Sequence, residues 1–329
     1  MSNHAIHHVT AVTAQIEKNM EFYTQVLGLR LVKRSVNQDD VSAYHLFYAD
    51  GAGSPGTDMT FFDWPSIGAN RTGAGTIALT SFRIPAGSLG YWEGRLEQAE
   101  CAPERGENSL LFSDPEGQRL ELVGDDGVGA SSAPWTAVVP AEHAIRGILG
   151  VDLESARPDA TQRVITEILG YRESAGGAFE AAGDRSYGRL RIVPSVSGRF
   201  GRVGAGGVHH VAFRVENDDE LNEMMEKVEE FGLRTSGYVD RFYFHSVYFR
   251  EPGGVLFELA TDGPGFASDE DQAHLGEKLA LPPFLEPRRR EIEAGLKPLP
   301  DAFVRSDLPA KPAGLLSHLH SRANPMLFT

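Results

Sequence analysis

Residues 112–122 read FSDPEGQRLEL and residues 249–259 read FREPGGVLFEL, and this similarity indicates a fold built from repeated units. Both stretches place Phe, an acid, Pro, Gly and Glu-Leu at the same offsets. Two further pairs echo each other: FYTQVLGLR (22–30) with VITEILGYR (164–172), and HHVTAVT (7–13) with HHVAFRV (209–215). Internal repeats of this kind indicate related structural units. The sequence therefore predicts four modules, which open near residues 7, 75, 145 and 208.

Each module contains one amphipathic helix among strand-like stretches. In the first module Ile16, Met20, Tyr23 and Leu27 recur at the helical period, and Gly28 follows as a candidate C-terminal cap. Similar apolar faces occur in 89–96, 164–169 and 221–231, and the acids Asp218 and Asp219 suggest an N-cap for the fourth helix. Strand-like stretches surround these helices, so each module reads strand, helix and three strands. We expect an α+β protein built from four βαβββ modules.

The domain boundaries follow from shifts in composition. A Gly/Ser/Ala/Pro stretch in the middle of the chain resembles a linker. We therefore expect an N-terminal domain at 1–125 with modules one and two, a linker at 126–142, and a C-terminal domain at 143–262 with modules three and four. From residue 263 the pattern stops, and seven prolines punctuate the segment 282–312. We expect 263–329 to be an irregular Pro-rich tail that packs on the domains.

Composition excludes several classes of protein. The 329 residues carry a net charge of −15, which is the opposite of the balance typical of a nucleic-acid binder. No apolar run approaches the roughly 20 residues that span a bilayer. The N-terminal residues show no secretory pattern, and the single cysteine, Cys101, suits a reducing compartment. We expect a cytoplasmic protein with no nucleic-acid or membrane partner, and we expect it to form a homo-oligomer.

Two histidine pairs and one glutamate are the best candidates for chemistry. His7-His8 and His209-His210 open matching strands, and side chains alternate across a strand, so one histidine of each pair is expected to face a barrel interior. Glu258 lies in the apolar run LFELA, where an unpaired carboxylate is costly to bury. Two imidazoles and one carboxylate describe the facial triad of non-haem Fe(II) oxygenases. The alternative is three unrelated polar residues at strand ends.

The quoted stretches, together with YHLFYAD (44–50) and GTDMTFF (56–62), resemble a known superfamily. It is the vicinal oxygen chelate superfamily, which includes glyoxalases, bleomycin-resistance proteins and extradiol dioxygenases. More narrowly, the sequence resembles the ring-cleaving dioxygenases that include hydroquinone dioxygenases. VYFREPGGVLFE (247–258) also fits the extradiol dioxygenase pattern. The resemblance implies that the four modules form two barrels or half-barrels of the vicinal-oxygen-chelate type.

The resemblance also implies site residues. The metal ligands would be His8, His210 and Glu258, and Tyr248 would face the substrate. The metal would be Fe(II), although Mn(II) suits the same ligands. In catechol dioxygenases a histidine precedes the aliphatic-Tyr pair with five to seven residues between them, but here that window holds Val239, Asp240 and Arg241.

Enzymes that open para-diols are similar in placing an arginine in this window, so we expect Arg241 to contact substrate. An alternative is that Arg241 forms a structural ion pair with a neighbouring acid such as Asp240 or Glu251. His7 and His209, which precede the ligands, are weaker catalytic candidates, expected to support them.

A second departure from the catechol dioxygenases concerns the pairing of the modules. The strand that opens the third module, RGILGVDL (146–153), carries no histidine. The first histidine ligand would then come from module one, so modules one and four should share a sheet or barrel. Modules two and three should form the other, in which Glu121, the repeat counterpart of Glu258, would be a vestige.

The expected function is an Fe(II)-dependent, extradiol-type ring-cleaving dioxygenase that uses O2. Its substrate would be a small aromatic diol, with hydroquinone types favoured over catechols. Two alternatives remain: a glyoxalase-type metal-dependent lyase or isomerase, and a protein that binds an aromatic compound without turnover. Iron content measured together with oxygen uptake would separate the three.

Overall fold

The computed structural model describes residues 4–127, 130–131, 133–182, 187–195 and 199–300. In this part of the chain, most of the secondary structure is β-strand. The strands are β1 Ile6–Thr13, β2 Arg30–Asn37, β3 Asp40–Ala49, β4 Asp58–Asp63, β5 Thr76–Ile84, β6 Glu104–Arg105, β7 Ser109–Ser113, β8 Arg119–Gly124, β9 Ile148–Ser155, β10 Arg172–Glu173, β11 Ala178–Ala182, β12 Tyr187–Pro194, β13 Gly207–Val215, β14 Val239–Asp240, β15 Phe244–Arg250 and β16 Leu256–Pro264.

Among the described residues, five helices accompany the strands, one in each module and one in the tail. They are α1 Ile16–Glu21, α2 Leu89–Gln98, α3 Pro158–Arg163, α4 Asp218–Glu230 and α5 Arg289–Gly295. Helices α1 and α3 continue into π-helical turns at Phe22–Val26 and Val164–Ile168, and short 3₁₀ turns lie at Ala86–Ser88, Phe266–Ser268, Gln272–His274 and Glu286–Arg288. Among the described residues, no helix combines the length and the apolar character that crossing a membrane requires.

The strands form two eight-stranded sheets, each built from two modules. The order in the first sheet is β14-β15-β16-β13-β1-β4-β3-β2, and in the second it is β10-β11-β12-β9-β5-β8-β7-β6. Modules one and four therefore share a sheet through the antiparallel pair β1 and β13, and modules two and three share the other through β5 and β9. This confirms both the fold class and the predicted pairing. The domain boundaries near 126–142 stay a prediction.

The helices bury the faces that the sequence pattern predicts. Ile16, Met20, Tyr23 and Leu27 all lie in the main hydrophobic core. Gly28 follows with φ +69°, and Gly170 and Gly232 end their helical segments with φ of +75° and +91°. This left-handed backbone favours glycine over residues with a Cβ.

The predicted N-cap of the fourth helix is wrong by one residue. The cap is Asn217, whose side chain accepts a hydrogen bond from the backbone N–H of Glu220. Asp218 and Asp219 instead lie in the first turn of the helix, where their charge suits the helix dipole.

Strands β1 and β13 each contain one extra residue, a β-bulge. Ile6 pairs with Phe213 but His8 pairs with Ala212, so His7 is the extra residue of β1. Thr10 pairs with His210 but Ala11 pairs with Val208, so His209 is the extra residue of β13. Register shifts at matching places in β5 and β9 mark the second sheet. Because a bulge breaks the alternation of side chains, the two histidines of each pair need not point to opposite faces.

The described part of the tail, 263–300, packs on the modules. Phe266 and Leu275 lie in a small apolar cluster with Val32 and Phe47. The chain then passes the edge of β2, where the backbone N–H of Ala280 donates to the carbonyl of Arg34. Beyond that edge four side chains join the main core: Leu281, Leu285, Ile292 and Leu296. Residues 301–329 of the predicted tail lie outside the described residues.

Candidate metal centre

His8, His210 and Glu258 lie together in the first sheet. His8 comes from β1, His210 from the neighbouring β13, and Glu258 from β16 on the far side of β13. One potential ligand atom from each residue lies within 4.8 Å of the others, and all three residues are buried. No other group of three His, Cys, Asp or Glu among the described residues meets this geometry. The pairing of modules one and four thus brings together three residues that are far apart in the sequence.

The distances within this group suit one metal ion. Oε2 of Glu258 lies 3.2 Å from Nε2 of His8 and 2.8 Å from Nε2 of His210. Two ligand atoms that each lie about 2.1 Å from an ion, at right angles, are separated by about 3.0 Å. The side chain of Glu258 is fully buried, yet its Oε2 has no hydrogen-bonding partner. An orphaned buried carboxylate oxygen beside two imidazole nitrogens fits a cation ligand.

The surroundings keep Glu258 in its ionised form. Burial alone would raise the pKa of Glu258, but the rings of His8 and His210 outweigh it and hold this pKa well below its usual range. The hydroxyl of Ser246 donates to Oε1 at 2.6 Å, which leaves Oε2 directed at the two rings. Burial lowers the pKa of His210 despite the opposing effect of Glu258, so this ring favours its neutral form. A neutral imidazole is the form that binds metals.

His7 and His209 lie beside the candidate ligands, one to each. Nδ1 of His7 lies 2.9 Å from Nδ1 of His8, and Nδ1 of His209 lies 2.8 Å from Nδ1 of His210. The bulges at His7 and His209 allow the side chains of consecutive residues to contact each other in this way. Burial, with the neighbouring rings, lowers the pKa of His7 well below its usual range and that of His209 to about 3. Both neutral rings can accept the Nδ1 hydrogen of their neighbour, which frees its Nε2 for a metal.

A cleft opens beside the triad, and its walls combine aromatic and polar side chains. The aromatic part includes Phe47, Phe62, Tyr243, Phe244 and Tyr248. Such a mixture suits a small aromatic molecule that presents a few polar groups.

Tyr248 and Arg241 lie together in the cleft wall. Tyr248 is paired with Glu258 across β15 and β16, and Nε of Arg241 donates to the Tyr248 hydroxyl at 3.2 Å. Burial, with Glu258 nearby, raises the pKa of Tyr248, so its hydroxyl stays protonated. Burial alone would lower the pKa of Arg241, but Tyr248 and Asp39 more than offset it and raise this pKa.

Arg241 does form an ion pair, but neither Asp240 nor Glu251 is the acid in it. Its terminal nitrogens contact both carboxylate oxygens of Asp39, at 3.1 and 2.9 Å. Asp39 belongs to module one, so the local sequence around Arg241 gives no signal for it. Glu251 instead accepts from Thr161 and from the backbone of its own turn.

The sequence analysis did not single out His45, which lines the cleft. Its Nε2 lies 3.0 Å from the Thr60 hydroxyl, which in turn contacts Thr10 at 2.8 Å. Burial is the main reason why the pKa of His45 lies well below its usual range. The signal available was weak: a polar residue in the apolar strand run YHLFYA. His245, in contrast, contacts Asp218 at 2.5 Å and does not line the cleft.

The second sheet shows what replaces the triad. Glu121 pairs with Ser81 as Glu258 pairs with Ala212. On the next strand Ser81 pairs with Gly150 as Ala212 pairs with His8, so Gly150 occupies the position of His8. Leu79, two residues before Ser81, occupies the position of His210. Glu121 accepts from Ser81 at 2.6 Å and lies 3.6 Å from a guanidinium nitrogen of Arg189. A Cβ at Gly150 would lie 2.1 Å from the carbonyl oxygen of Arg189. A histidine therefore does not fit there, and Glu121 has a fixed cation in place of a metal.

Comparisons with known proteins identify the family of this chain. A family model described as the Glyoxalase/Bleomycin resistance protein/Dioxygenase superfamily matches residues 5–259. The "Putative ring-cleaving dioxygenase MhqA" of Bacillus subtilis (strain 168) is 41% identical over 315 residues, which cover 91% of this chain and 100% of that protein. The "Chlorohydroquinone/hydroquinone 1,2-dioxygenase" of Sphingobium indicum is 29% identical over 308 residues, covering 87% and 94% of the two chains.

A solved structure is similar to this chain over most of both chains. The crystal structure of a "putative dioxygenase" from Bacillus subtilis subsp. subtilis str. 168 is 38% identical, with a TM-score of 0.84 over 91% of this chain and 98% of that one. The chain therefore belongs to the glyoxalase/bleomycin resistance protein/dioxygenase superfamily, and within it to the branch that contains these ring-cleaving dioxygenases.

Proposed function

We propose that the protein is an Fe(II)-dependent, extradiol-type dioxygenase that cleaves the ring of an aromatic diol, and that it prefers hydroquinones to catechols. The observation that carries this proposal is the buried group of His8, His210 and Glu258 at the wall of an aromatic-lined cleft. Two imidazoles and one carboxylate on one face leave about three positions of an octahedral ion open, as non-haem Fe(II) oxygenases require. A location in the cytoplasm and assembly into a homo-oligomer stay predictions.

His8, His210 and Glu258 would hold the metal. Bound Fe(II) would supply the redox chemistry that lets an aromatic diol react with O2, and Mn(II) suits the same ligands. The chain itself fixes the ligand geometry. Ser246 orients the carboxylate of Glu258, and His7 and His209 accept hydrogen bonds that orient the two ligand rings.

Tyr248 and Arg241 would act on the substrate. The protonated Tyr248 hydroxyl can donate a hydrogen bond to a ring oxygen, and the guanidinium of Arg241 keeps a positive charge 3.2 Å from that hydroxyl. Fixed donors and charges of this kind stabilise negative charge that develops during a reaction. Arginine suits the role because it stays charged and offers several donors.

The preference for hydroquinones is inferred from the presence of these donors in the cleft wall. A catechol can bind a metal through two adjacent oxygens. A para-diol can present only one oxygen, and its second oxygen lies across the ring. The Tyr248–Arg241 pair offers a charged donor group for such a distal oxygen. The hydroquinone dioxygenase of Sphingobium indicum is a relative over most of both chains, which favours the same choice.

The carboxylates of the cleft argue against a glyoxalase-type lyase. Such an enzyme usually has a second glutamate as a base beside the metal. Among the described residues that line the cleft, the carboxylates are Glu258 and Asp39, and Asp39 is paired with Arg241.

Anaerobic reconstitution with Fe(II), followed by oxygen-electrode assays of hydroquinones and catechols, tests the proposal. We expect one iron per chain and oxygen consumption that is faster with hydroquinones. Reconstitution with Mn(II) or Ni(II) in parallel identifies the metal. Oxygen consumption that is absent with every diol would contradict a dioxygenase, and a faster rate with catechols would contradict the substrate preference.

A further inference from the structure

Two turns from different modules meet in the wall of the cleft. One joins β2 to β3 and carries Gln38 and Asp39, and the other follows β14 and carries Arg241. The side-chain amide of Gln38 donates to the backbone carbonyl of Arg241 at 2.8 Å. Both turns line the cleft, so the contact between them forms part of its wall.

Asp39 holds the guanidinium of Arg241 in one orientation. Its two carboxylate oxygens accept from both terminal nitrogens, at 3.1 and 2.9 Å, and the remaining Nε donates to Tyr248. A two-point contact between arginine and a carboxylate fixes the plane of the guanidinium as well as its position. Asp39 thereby determines which edge of Arg241 meets Tyr248.

Asp39 also places a negative charge against the guanidinium of Arg241, which keeps its own positive charge. Arg241 is the one arginine or lysine among the described residues that line the cleft. Its side chain is 20% exposed, whereas that of Asp39 is 73% exposed. The carboxylate thus covers the positive group from the solvent side. An anionic substituent on a substrate would have to compete with Asp39 for the two terminal nitrogens.

We propose that Asp39 is a positioning and specificity-determining residue: it orients Arg241 and excludes aromatic diols that carry a carboxylate. The inference rests on the proposed function insofar as it takes the ligands to be aromatic diols. Uncharged diols can approach Tyr248 and Nε of Arg241 without displacing Asp39. The carboxylate of a carboxylated diol finds no unpaired arginine or lysine among the described residues of the cleft wall, because Asp39 already occupies the guanidinium of Arg241.

Binding to the Fe(II)-loaded protein under anaerobic conditions tests the inference without any turnover. Dissociation constants of hydroquinone and 2,5-dihydroxybenzoate are measured by titration calorimetry for the wild type and Asp39→Asn. We expect the preference for hydroquinone over the carboxylated diol to fall by about tenfold or more in Asp39→Asn, the range expected for hydrogen bonds to charged groups. The matched control is Asp40→Asn, which removes the same charge one residue away and should leave the ratio unchanged.

The same comparison in an Arg241→Gln protein separates positioning by Asp39 from a general charge effect. If Asp39 acts through Arg241, Asp39→Asn should not change the ratio in an Arg241→Gln protein. An unchanged ratio in Asp39→Asn alone, or an equal change in Asp40→Asn, would overturn the inference. Failure of wild-type protein to bind either diol would overturn it together with the proposed function. If the ratio of the two dissociation constants shifts but the protein consumes no oxygen with any diol, the dioxygenase proposal is contradicted and the role of Asp39 is still supported.

Discussion

Glu121 and Glu258 occupy equivalent positions in the two eight-stranded sheets, but only Glu258 faces two histidines. Each lies on a strand parallel to its neighbour, where Glu258 pairs with Ala212 and Glu121 with Ser81. Each also accepts a 2.6 Å hydrogen bond from a serine. The repeat has kept the glutamate in both halves, but the two serines are not equivalent: Ser246 lies in β15, whereas Ser81 lies in β5 at the position of Ala212. The other partners of the two carboxylates differ as well. This relationship provides a control within the same chain for experiments on the metal centre.

Replacing Glu258 with glutamine should remove both the metal and the activity. A neutral amide is a poorer ligand for a hard cation than a carboxylate, and the two imidazoles alone hold a divalent ion weakly. We expect metal content, measured by mass spectrometry after dialysis, to fall from about one ion per chain to a small fraction of that value. The control is Glu121→Gln, which should retain the metal. Equal metal contents in the two variants would refute the assignment of Glu258.

His209→Phe should weaken metal binding without removing a ligand. Phenylalanine keeps an aromatic ring beside Phe62 and Trp64, but it cannot accept the hydrogen bond from His210. Loss of such a supporting bond typically costs about 10- to 100-fold in metal affinity. Competition with a chelator gives this affinity. His245→Phe serves as the control, since His245 lies outside the cleft, and a similar loss in that variant would show that the effect is not specific.

Arg241→Gln should lower turnover while leaving the metal in place. Glutamine can still donate a hydrogen bond, but it brings no positive charge to Tyr248. We expect kcat/KM for a hydroquinone to fall by roughly 100-fold, the usual effect of losing one electrostatic contact in an active site. Oxygen uptake at matched iron content measures this. If hydroquinone turnover is unchanged, Arg241 serves only the ion pair with Asp39.

The repeats in the sequence predict most of the fold. The echo between 112–122 and 249–259 gives four modules, and the missing histidine in module three gives the pairing of modules one and four. The pattern could not give the bulges at His7 and His209, because a single extra residue leaves the apolar alternation of a short strand almost unchanged. It predicts which residues belong to the site, but not that consecutive histidines touch.

The contacts between modules are the part that the sequence does not reveal. Asp39 reaches Arg241 across 202 positions of the chain, and one charged residue in a polar turn resembles any other. His45 escapes notice for a related reason, since a lone histidine in a strand is usually a surface or core residue. Such partners become visible only when the sheet order is known.

The packing of the tail on the modules should depend on the ion pairs of one buried lysine. Lys33 in β2 is fully buried and pairs with Asp269 at 2.7 Å and with Glu270, both in the tail. In the double variant Asp269→Asn/Glu270→Gln the buried ammonium loses its counter-charges, which typically costs about 3–5 kcal/mol. Denaturant unfolding measures the loss. Adding Lys33→Met to the double variant should recover much of the stability, and if it does not, the ion pairs are not what holds the tail.

Asp114 should make stability fall as the pH rises. Burial is the main cause that raises the pKa of Asp114 from 3.8 to about 6 in the folded protein. The folded state therefore binds this proton more tightly than the unfolded chain, so the stabilising effect is full below pH 4 and is lost as the pH rises through 6. A shift of about two pKa units corresponds to up to about 3 kcal/mol between these limits.

The variant Asp114→Asn isolates this effect, because asparagine keeps a side-chain oxygen for the backbone N–H groups of Glu116 and Gln118 but does not titrate. Other groups titrate in both proteins, so the quantity to compare is the difference in unfolding free energy between wild type and variant. From pH 4 to pH 7 this difference should shift in favour of the variant by up to about 3 kcal/mol, with most of the change between pH 4 and 6. Urea unfolding at half-unit steps of pH gives the curve. A flat difference would mean that Asp114 ionises as easily in the fold as in the unfolded chain, and a shift of opposite sign would mean that its backbone hydrogen bonds outweigh the cost of burial.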